Sequence, residues 1–234
     1  MKVILEGKGL MKWYQMGEVK VEALRGVDFQ IFEGEFVVVL GPSGSGKSTM
    51  LNMIGGMDQA SAGELYYLQE PLHLADEKKL TFYRRHAVGF IFQFYNLMPN
   101  LTALENVQLA AEIAANPLDA ATVLEEVGLG DRAGHFPSQL SGGEQQRVAV
   151  ARSIVKNPEI LLCDEPTGAL DFTTGIQVLK LLKKFQQVYG KTVMVITHNA
   201  GIADMADRVF HMKDGKLAKV YGVEKPVAPE EVSW

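Results

Sequence analysis

The chain reads as an α/β fold, with a mainly parallel sheet between helices, an antiparallel β subdomain at the N-terminus and a helical subdomain inserted into the core. Three observations predict it. Short apolar runs alternate with helical spacing along much of the chain, the pattern of a parallel sheet covered on both faces. One such run, at 36–40, leads directly into G-P-S-G-S-G-K-S at 41–48 and then into a helical stretch. Between about 94 and 152 the strand pattern gives way to helical periodicity, and strand patterns then resume.

Taken in order, short strands are expected at 2–5, 19–24, 27–31 and 36–40, with Gly17, Gly26 and Gly34 at the turns. A helix follows from Ser48, Gly55 and Gly56 close the turn after it, and 62–67 opens a further sheet element. A buried strand at 88–92 ends on Gln93. In the helical block, T-A-L-E at 102–105 has capping-box spacing, and Leu104, Val107, Ala111 and Ala114 recur at helical intervals. Asp119 caps a second short helix that Gly128 stops. Ser141 and Glu144 repeat the capping-box spacing ahead of a long helix from Gln145 to about Val155. Strands return at 159–163 and 192–197, joined by an amphipathic helix over about 174–188. The expected organisation is one domain over 1–234. Its core covers about 1–93 and 153–222, the helical subdomain about 94–152, and a mobile tail the proline- and acid-bearing stretch 223–234.

A length of 234 residues with 47% hydrophobic content sustains one full core. The net charge of -5 supplies no basic field, which argues against nucleic acid or anionic lipid as a general partner. Cys163, the single cysteine, has no partner for an internal disulfide and lies in an apolar strand pattern, so it reads as a small buried hydrophobe. Glu6 interrupts the first apolar run before a signal-peptide core forms, and no run approaches the ~18 apolar residues of a membrane-spanning helix. A cytoplasmic protein is expected, with any membrane role exerted through a separate partner.

The G-x-x-x-x-G-K-[ST] spacing at 41–48 is that of a phosphate-binding loop. Gly41, Pro42, Ser43, Gly44, Ser45 and Gly46 would curl their backbone round phosphates, with Lys47 on the β/γ oxygens, Ser48 on Mg²⁺ and Thr49 in the first helical turn behind them. Asp164 and Glu165 end an apolar strand, at the edge of a parallel sheet where ligands bind. There Asp164 can hold Mg²⁺ through water and Glu165 can polarise the water that attacks the γ-phosphate. The structural alternative is a helix N-cap with Pro166 at the helix start. His198 ends the strand at 192–197 on the same edge, in reach of a γ-phosphate, while His73, His86, His135 and His211 have no such setting. Gln93 ends another strand at the border of the helical block, where its amide can reach Mg²⁺ or the attacking water. Ser141, Gly142 and Gly143 read as a further bare helix N-terminus, either an anion site without a lysine or a cap of purely structural use. Tyr14 offers a ring to stack on adenine, or a core aromatic. The stretch 94–99, F-Y-N-L-M-P, reads as an adaptable docking surface or as loop packing.

The loop at 41–48, Gln93, L-S-G-G-E-Q from 140, Asp164 with Glu165, G-A-L-D at 168–171 and His198 stand in one order. In that order the chain resembles the ATP-binding subunits of ABC transporters over nearly its whole length. The resemblance implies a P-loop NTPase (RecA-like) core that binds and hydrolyses ATP with Mg²⁺. It implies a head-to-tail homodimer with two ATP molecules sandwiched, each held by the phosphate loop of one subunit and by Ser141 and Gly143 of the other. Asp171 would belong to a loop crossing that interface, and Tyr14 would stack on adenine. A groove beside Gln93 and 94–99 would receive a coupling helix of an integral membrane permease, placing the protein on the inner face of the cell membrane.

Gly17 and Glu18, L-N-M-I-G-G at 51–56, N-L-M-P at 96–99, L-T-A-L-E-N-V at 101–107 and T-G-A-L-D at 167–171 are similar to one subgroup. It serves lipoprotein-releasing, macrolide-export (MacB/LolD-like) and related peptide-export or cell-division permeases. That similarity implies a separate MacB/FtsX-like permease driven in export, lipoprotein release or mechanical transmission. Gly168 stands where serine is commonest in the superfamily. Two other outputs stay open: a regulatory module whose product is ATP-dependent dimerisation, and a soluble ABC ATPase acting on nucleic acid, against which the acidity argues.

Overall fold

The computed structural model describes residues 2–233. In chain order its strands and α-helices are β1 (Val3–Met16), β2 (Val19–Phe32), β3 (Phe36–Leu40), α1 (Lys47–Ile54), β4 (Ala62–Tyr67), β5 (Glu70–Pro71), α2 (Glu77–His86), β6 (Val88–Ile91), α3 (Ala103–Glu112), α4 (Ala120–Glu126), α5 (Gly142–Ile154), β7 (Ile160–Asp164), α6 (Phe172–Tyr189), β8 (Thr192–Thr197), β9 (Arg208–Lys213) and β10 (Lys216–Gly222). Among the described residues they form an antiparallel sheet ordered β2-β1-β4-β5 and a larger sheet ordered β10-β9-β3-β8-β7-β6. In the larger sheet β9, β3, β8, β7 and β6 run parallel, and β10 adds an antiparallel edge.

The side-chain alternation of β3 shows how the layers are joined. Val37 and Val39 face α1 and the first sheet, packing with Met50, Leu51, Ile54, Leu10 and Ile31. Phe36, Val38 and Leu40 face the other way, into a core with Val148 and Ala151 of α5 and Val178, Leu179 and Leu182 of α6. A strand covered on both faces has no polar side to expose, hence the unbroken apolar runs of β3 and of residues 193–196 in β8. Cys163 in β7 lies wholly inside this core, and burial pushes its thiol pKa up, so it behaves as the small hydrophobe expected. Because Leu179 is fully buried, Leu179→Ala should cost about 2–5 kcal/mol, read as a lower urea midpoint at unchanged slope.

Several elements differ from the sequence expectation. The expected short N-terminal strands are two strands of 14 residues each, one long hairpin. Gly26, expected at a turn, sits at a register shift inside β2 with φ 77°, where a positive φ makes a bulge look like a turn in sequence. Helix α2 was not anticipated: it is strongly charged and buries only Leu80 and Tyr83, which hides its periodicity. The β9–β10 hairpin was also not anticipated, although Asp214 and Gly215 form the two-residue turn that such a hairpin favours. The tail expected to be mobile is docked. Val227 N–H donates to the Asp204 carbonyl at 3.0 Å, Lys180 pairs with Glu230 at 2.7 Å, and Val232 is only 3% exposed. No helix among the described residues is long and apolar enough to cross a membrane.

Candidate functional site

The glycine-rich loop leaves the C-terminal end of β3 and enters α1. Backbone from two neighbouring elements closes round it. A Cβ on Gly41 would lie 2.4 Å from the Met212 carbonyl oxygen, and one on Gly46 would lie 2.5 Å from that of Ala23. No side chain fits at either place. Helices α2 to α6 begin on Asp76, Thr102, Asp119, Ser141 and Asp171, each accepting a hydrogen bond from its own first turn. By contrast, α1 begins on Gly46 with no side-chain cap and no acid in its first turn. Its leading N–H groups and positive dipole end therefore await an anion. Lys47 adds an ammonium, folded back to donate to the carbonyls of Gly41 at 2.8 Å and Pro42 at 3.0 Å.

The ends of β7 and β8 complete the opposite wall. Ser48 Oγ lies 3.5 Å from Asp164 Oδ1, an oxygen pair that suits Mg²⁺ when phosphate oxygens fill the remaining positions. Burial raises the Asp164 pKa; the Ser48 hydrogen bond opposes it, the neighbouring Glu165 charge adds to it, and Lys47 opposes it. A cation beside Asp164 would relieve that burial cost. Glu165 adopts φ 47°, a conformation costly for a residue with a Cβ. It is held there by its N–H on the Ile196 carbonyl at 2.9 Å and by two anchors on its carboxylate. Thr197 Oγ1 donates to Oε2 at 2.9 Å, and the His198 N–H donates to Oε1 at 2.9 Å. His198 Nδ1 also lies 2.8 Å from Oε1. The helix after Pro166 starts only at Phe172 and is capped by Asp171, so Asp164 and Glu165 are not its N-cap.

Tyr14 stands on β1, opposite Val21 of β2, and is 38% exposed, so it is not a core aromatic. Its hydroxyl donates to Asp58 at 2.9 Å, and the Lys12 ammonium lies 5.0 Å from its ring centroid. A cleft of about 790 Å³ brings Tyr14, Ser43, Gly44, Gly46, Lys47, Ser48, Thr49, Gln93, Asp164, Glu165 and His198 together, with Val21, Glu22 and Ala23 of β2 as the remaining wall. That β2 wall and Asp58 went unread in the sequence, because the long hairpin was broken into short strands there.

Ser141, Gly142, Gly143 and Asp171 are absent from this lining and gather at the N-termini of α5 and α6. A Cβ on Gly143 would lie 2.3 Å from Thr174 Cγ2, and Thr174 Oγ1 donates to Asp171 at 2.7 Å. The expectation of a bare helix end is corrected: Ser141 Oγ accepts from Glu144 N–H at 3.3 Å and Glu144 accepts from Ser141 N–H at 2.8 Å. The capping box announced by the spacing takes up the N–H groups of Ser141 and Glu144 at that end. In the 94–99 stretch, Phe94 is 75% and Met98 51% exposed, while Leu97 packs on the core.

Comparison with known proteins agrees with this geometry. The family model described as ABC transporter matches residues 24–168. An ABC transporter ATP-binding protein of Thermotoga maritima is 46% identical over 230 residues, covering 96% of this chain and 97% of its own length. The macrolide export ATP-binding/permease protein MacB of Azoarcus sp. is 41% identical over 232 residues, 97% of this chain but 35% of that longer protein. Among solved structures, the ATP-binding cassette MJ0796 of Methanocaldococcus jannaschii, a dimer in a post-hydrolysis state with ADP and Pi, superposes with a TM-score of 0.88 at 43% identity. The match covers 95% of this chain and 100% of that one. The chain belongs to the ABC transporter family and is one of its ATP-binding, ATP-hydrolysing cassettes.

Proposed function

We propose that two copies of this chain close head to tail on two ATP molecules and so drive a membrane permease, in export, lipoprotein release or mechanical transmission. The observation that carries the reading is the division of the motif residues into two groups. The cleft holds the phosphate loop and the acids, whereas Ser141 to Gly143 and Asp171 lie together outside it. A second copy in head-to-tail arrangement brings the second group over the first. The dimeric state of MJ0796 supports this arrangement.

In this reading the first N–H groups of α1 and the Lys47 ammonium hold the β- and γ-phosphates. Ser48, and Asp164 through water, would hold Mg²⁺, which neutralises charge on the phosphate oxygens. Glu165, fixed by Thr197 and the His198 N–H, orients and polarises the attacking water. His198 donates to the γ-phosphate, and Gln93 senses the water or the metal from the border of the helical block. Tyr14, its hydroxyl tethered by Asp58 and the Lys12 ammonium 5.0 Å from its ring centroid, offers its ring to adenine. We further propose that the helices over about 94–152 form a subdomain moving against the core, with exposed Phe94 and Met98 lining the groove for the permease on the inner face of the membrane. The kinship to MacB, named as an ATP-binding/permease protein, supports a permease partner of that type.

Light scattering tests the dimer. Glu165→Gln should pass from monomer to dimer mass on addition of ATP and Mg²⁺. The double variant Glu165→Gln with Ser141→Arg should bind ATP equally and remain monomeric; a dimer in both cases, or in neither, would contradict the proposed closure.

A further inference from the structure

The turn of the β9–β10 hairpin makes two backbone hydrogen bonds beside the phosphate loop. Gly215 N–H donates to the carbonyl of Ser45, inside the phosphate loop, at 3.1 Å. The Gly215 carbonyl accepts from Arg25 N–H of β2 at 2.9 Å. Between these bonds the Ala23 carbonyl is wedged against two glycines. A Cβ on Gly46 would lie 2.5 Å from it, and a Cβ on Gly215 would lie 2.9 Å from it. Loop, hairpin turn and β2 thus meet backbone to backbone at a point with no room for a side chain.

We infer that Gly215 is a positioning residue for phosphate binding, acting through the Ser45–Gly46 peptide. In a trans peptide the C=O and the following N–H point in opposite directions, and no cis bond occurs among the described residues. Gly215 N–H draws the Ser45 carbonyl toward the hairpin, so the Gly46 N–H is turned away from it, toward the cleft that Gly46 lines. Left free, that peptide could flip and present a carbonyl oxygen to the phosphates. The same turn ties the loop to β2, whose Val21 and Ala23 form the base-side wall, and so fixes the spacing of the phosphate and base ends. Gly215 has φ 76°, and the turn residue before it, Asp214, has φ 49°. The hairpin therefore delivers its N–H to the loop in the conformation that a two-residue turn adopts without help.

The inference rests on the diphosphate lying in the loop, and ADP is the probe. Asparagine tolerates positive φ, so Gly215→Asn keeps the turn but places a Cβ against the Ala23 carbonyl. Gly190→Asn is the control: its φ is 64° and an added Cβ meets nothing within 4 Å. By calorimetry, Gly215→Asn should weaken ADP binding at least about fivefold, the scale of one lost hydrogen bond, while Gly190→Asn stays within about twofold. In the unmodified chain, hydrogen exchange at the Gly215 amide should slow when ADP is added, a reading that needs no variant to fold. Unchanged ADP affinity in Gly215→Asn, equal weakening in both variants, or exchange at Gly215 indifferent to ADP would overturn the inference. Failure of the unmodified chain to bind ADP would overturn the nucleotide reading itself, and this inference with it.

Discussion

Glu165→Gln is expected to lower ATP turnover by about 10²-fold or more while leaving ATP affinity within about twofold. The amide keeps the size: its oxygen can still accept from the His198 N–H, and its NH₂ can donate to Thr197 Oγ1 in reversal of the bond that Thr197 makes to the carboxylate, so the φ of 47° stays supported. What disappears is the negative charge to which we assign the polarising of the attacking water. A loss of general-base assistance acts on turnover and not on binding, and this separates it from a folding defect. Single-turnover ATP hydrolysis beside equilibrium ATP binding measures both, and normal turnover would remove Glu165 from the mechanism.

Lys47→Ala is expected to weaken ATP binding by about 10²-fold, on the scale of a buried charge-assisted hydrogen bond lost at about 1.4 kcal/mol per tenfold. Lys47 is only 8% exposed, so water does not screen its charge well. The substitution also takes the ammonium away from the Gly41 and Pro42 carbonyls, of which Pro42 keeps the Ser45 N–H at 3.2 Å, and leaves no positive charge at the loop. Titration with a fluorescent ATP analogue reads the loss directly. An affinity within threefold of the unmodified chain would show that the phosphates do not lie in this loop.

The parts of the fold that were legible in sequence are those whose pattern is local. β3, β8 and α6 are covered on well-defined faces, so their apolar spacing matches their period. The caps at Thr102, Asp119 and Ser141 were equally plain. Elements with weak periodicity were missed or broken, as with charged α2 and with the bulge at Gly26 that divided β2. The tail reads as mobile from its prolines and acids, whereas the burial of Val232 is a tertiary fact.

Within the site, the loop at 41–48 was legible because its chemistry demands fixed spacing. Asp164, Glu165, Gln93 and His198 are legible because each ends or follows a strand of the parallel sheet and so reaches the same edge. The clamp of Thr197 and His198 on Glu165 was not, since it joins residues about thirty positions apart through strand pairing of β7 and β8. Nor was the Gly215 contact to Ser45, which depends on how the hairpin meets the loop.

The most direct test is a structure of Glu165→Gln with ATP and Mg²⁺ bound. Two chains head to tail are expected, with each γ-phosphate between Lys47 of one chain and Ser141 of the other, and with a metal beside Ser48. ATP seated in the cleft of a single chain, with Ser141 facing solvent, would contradict it.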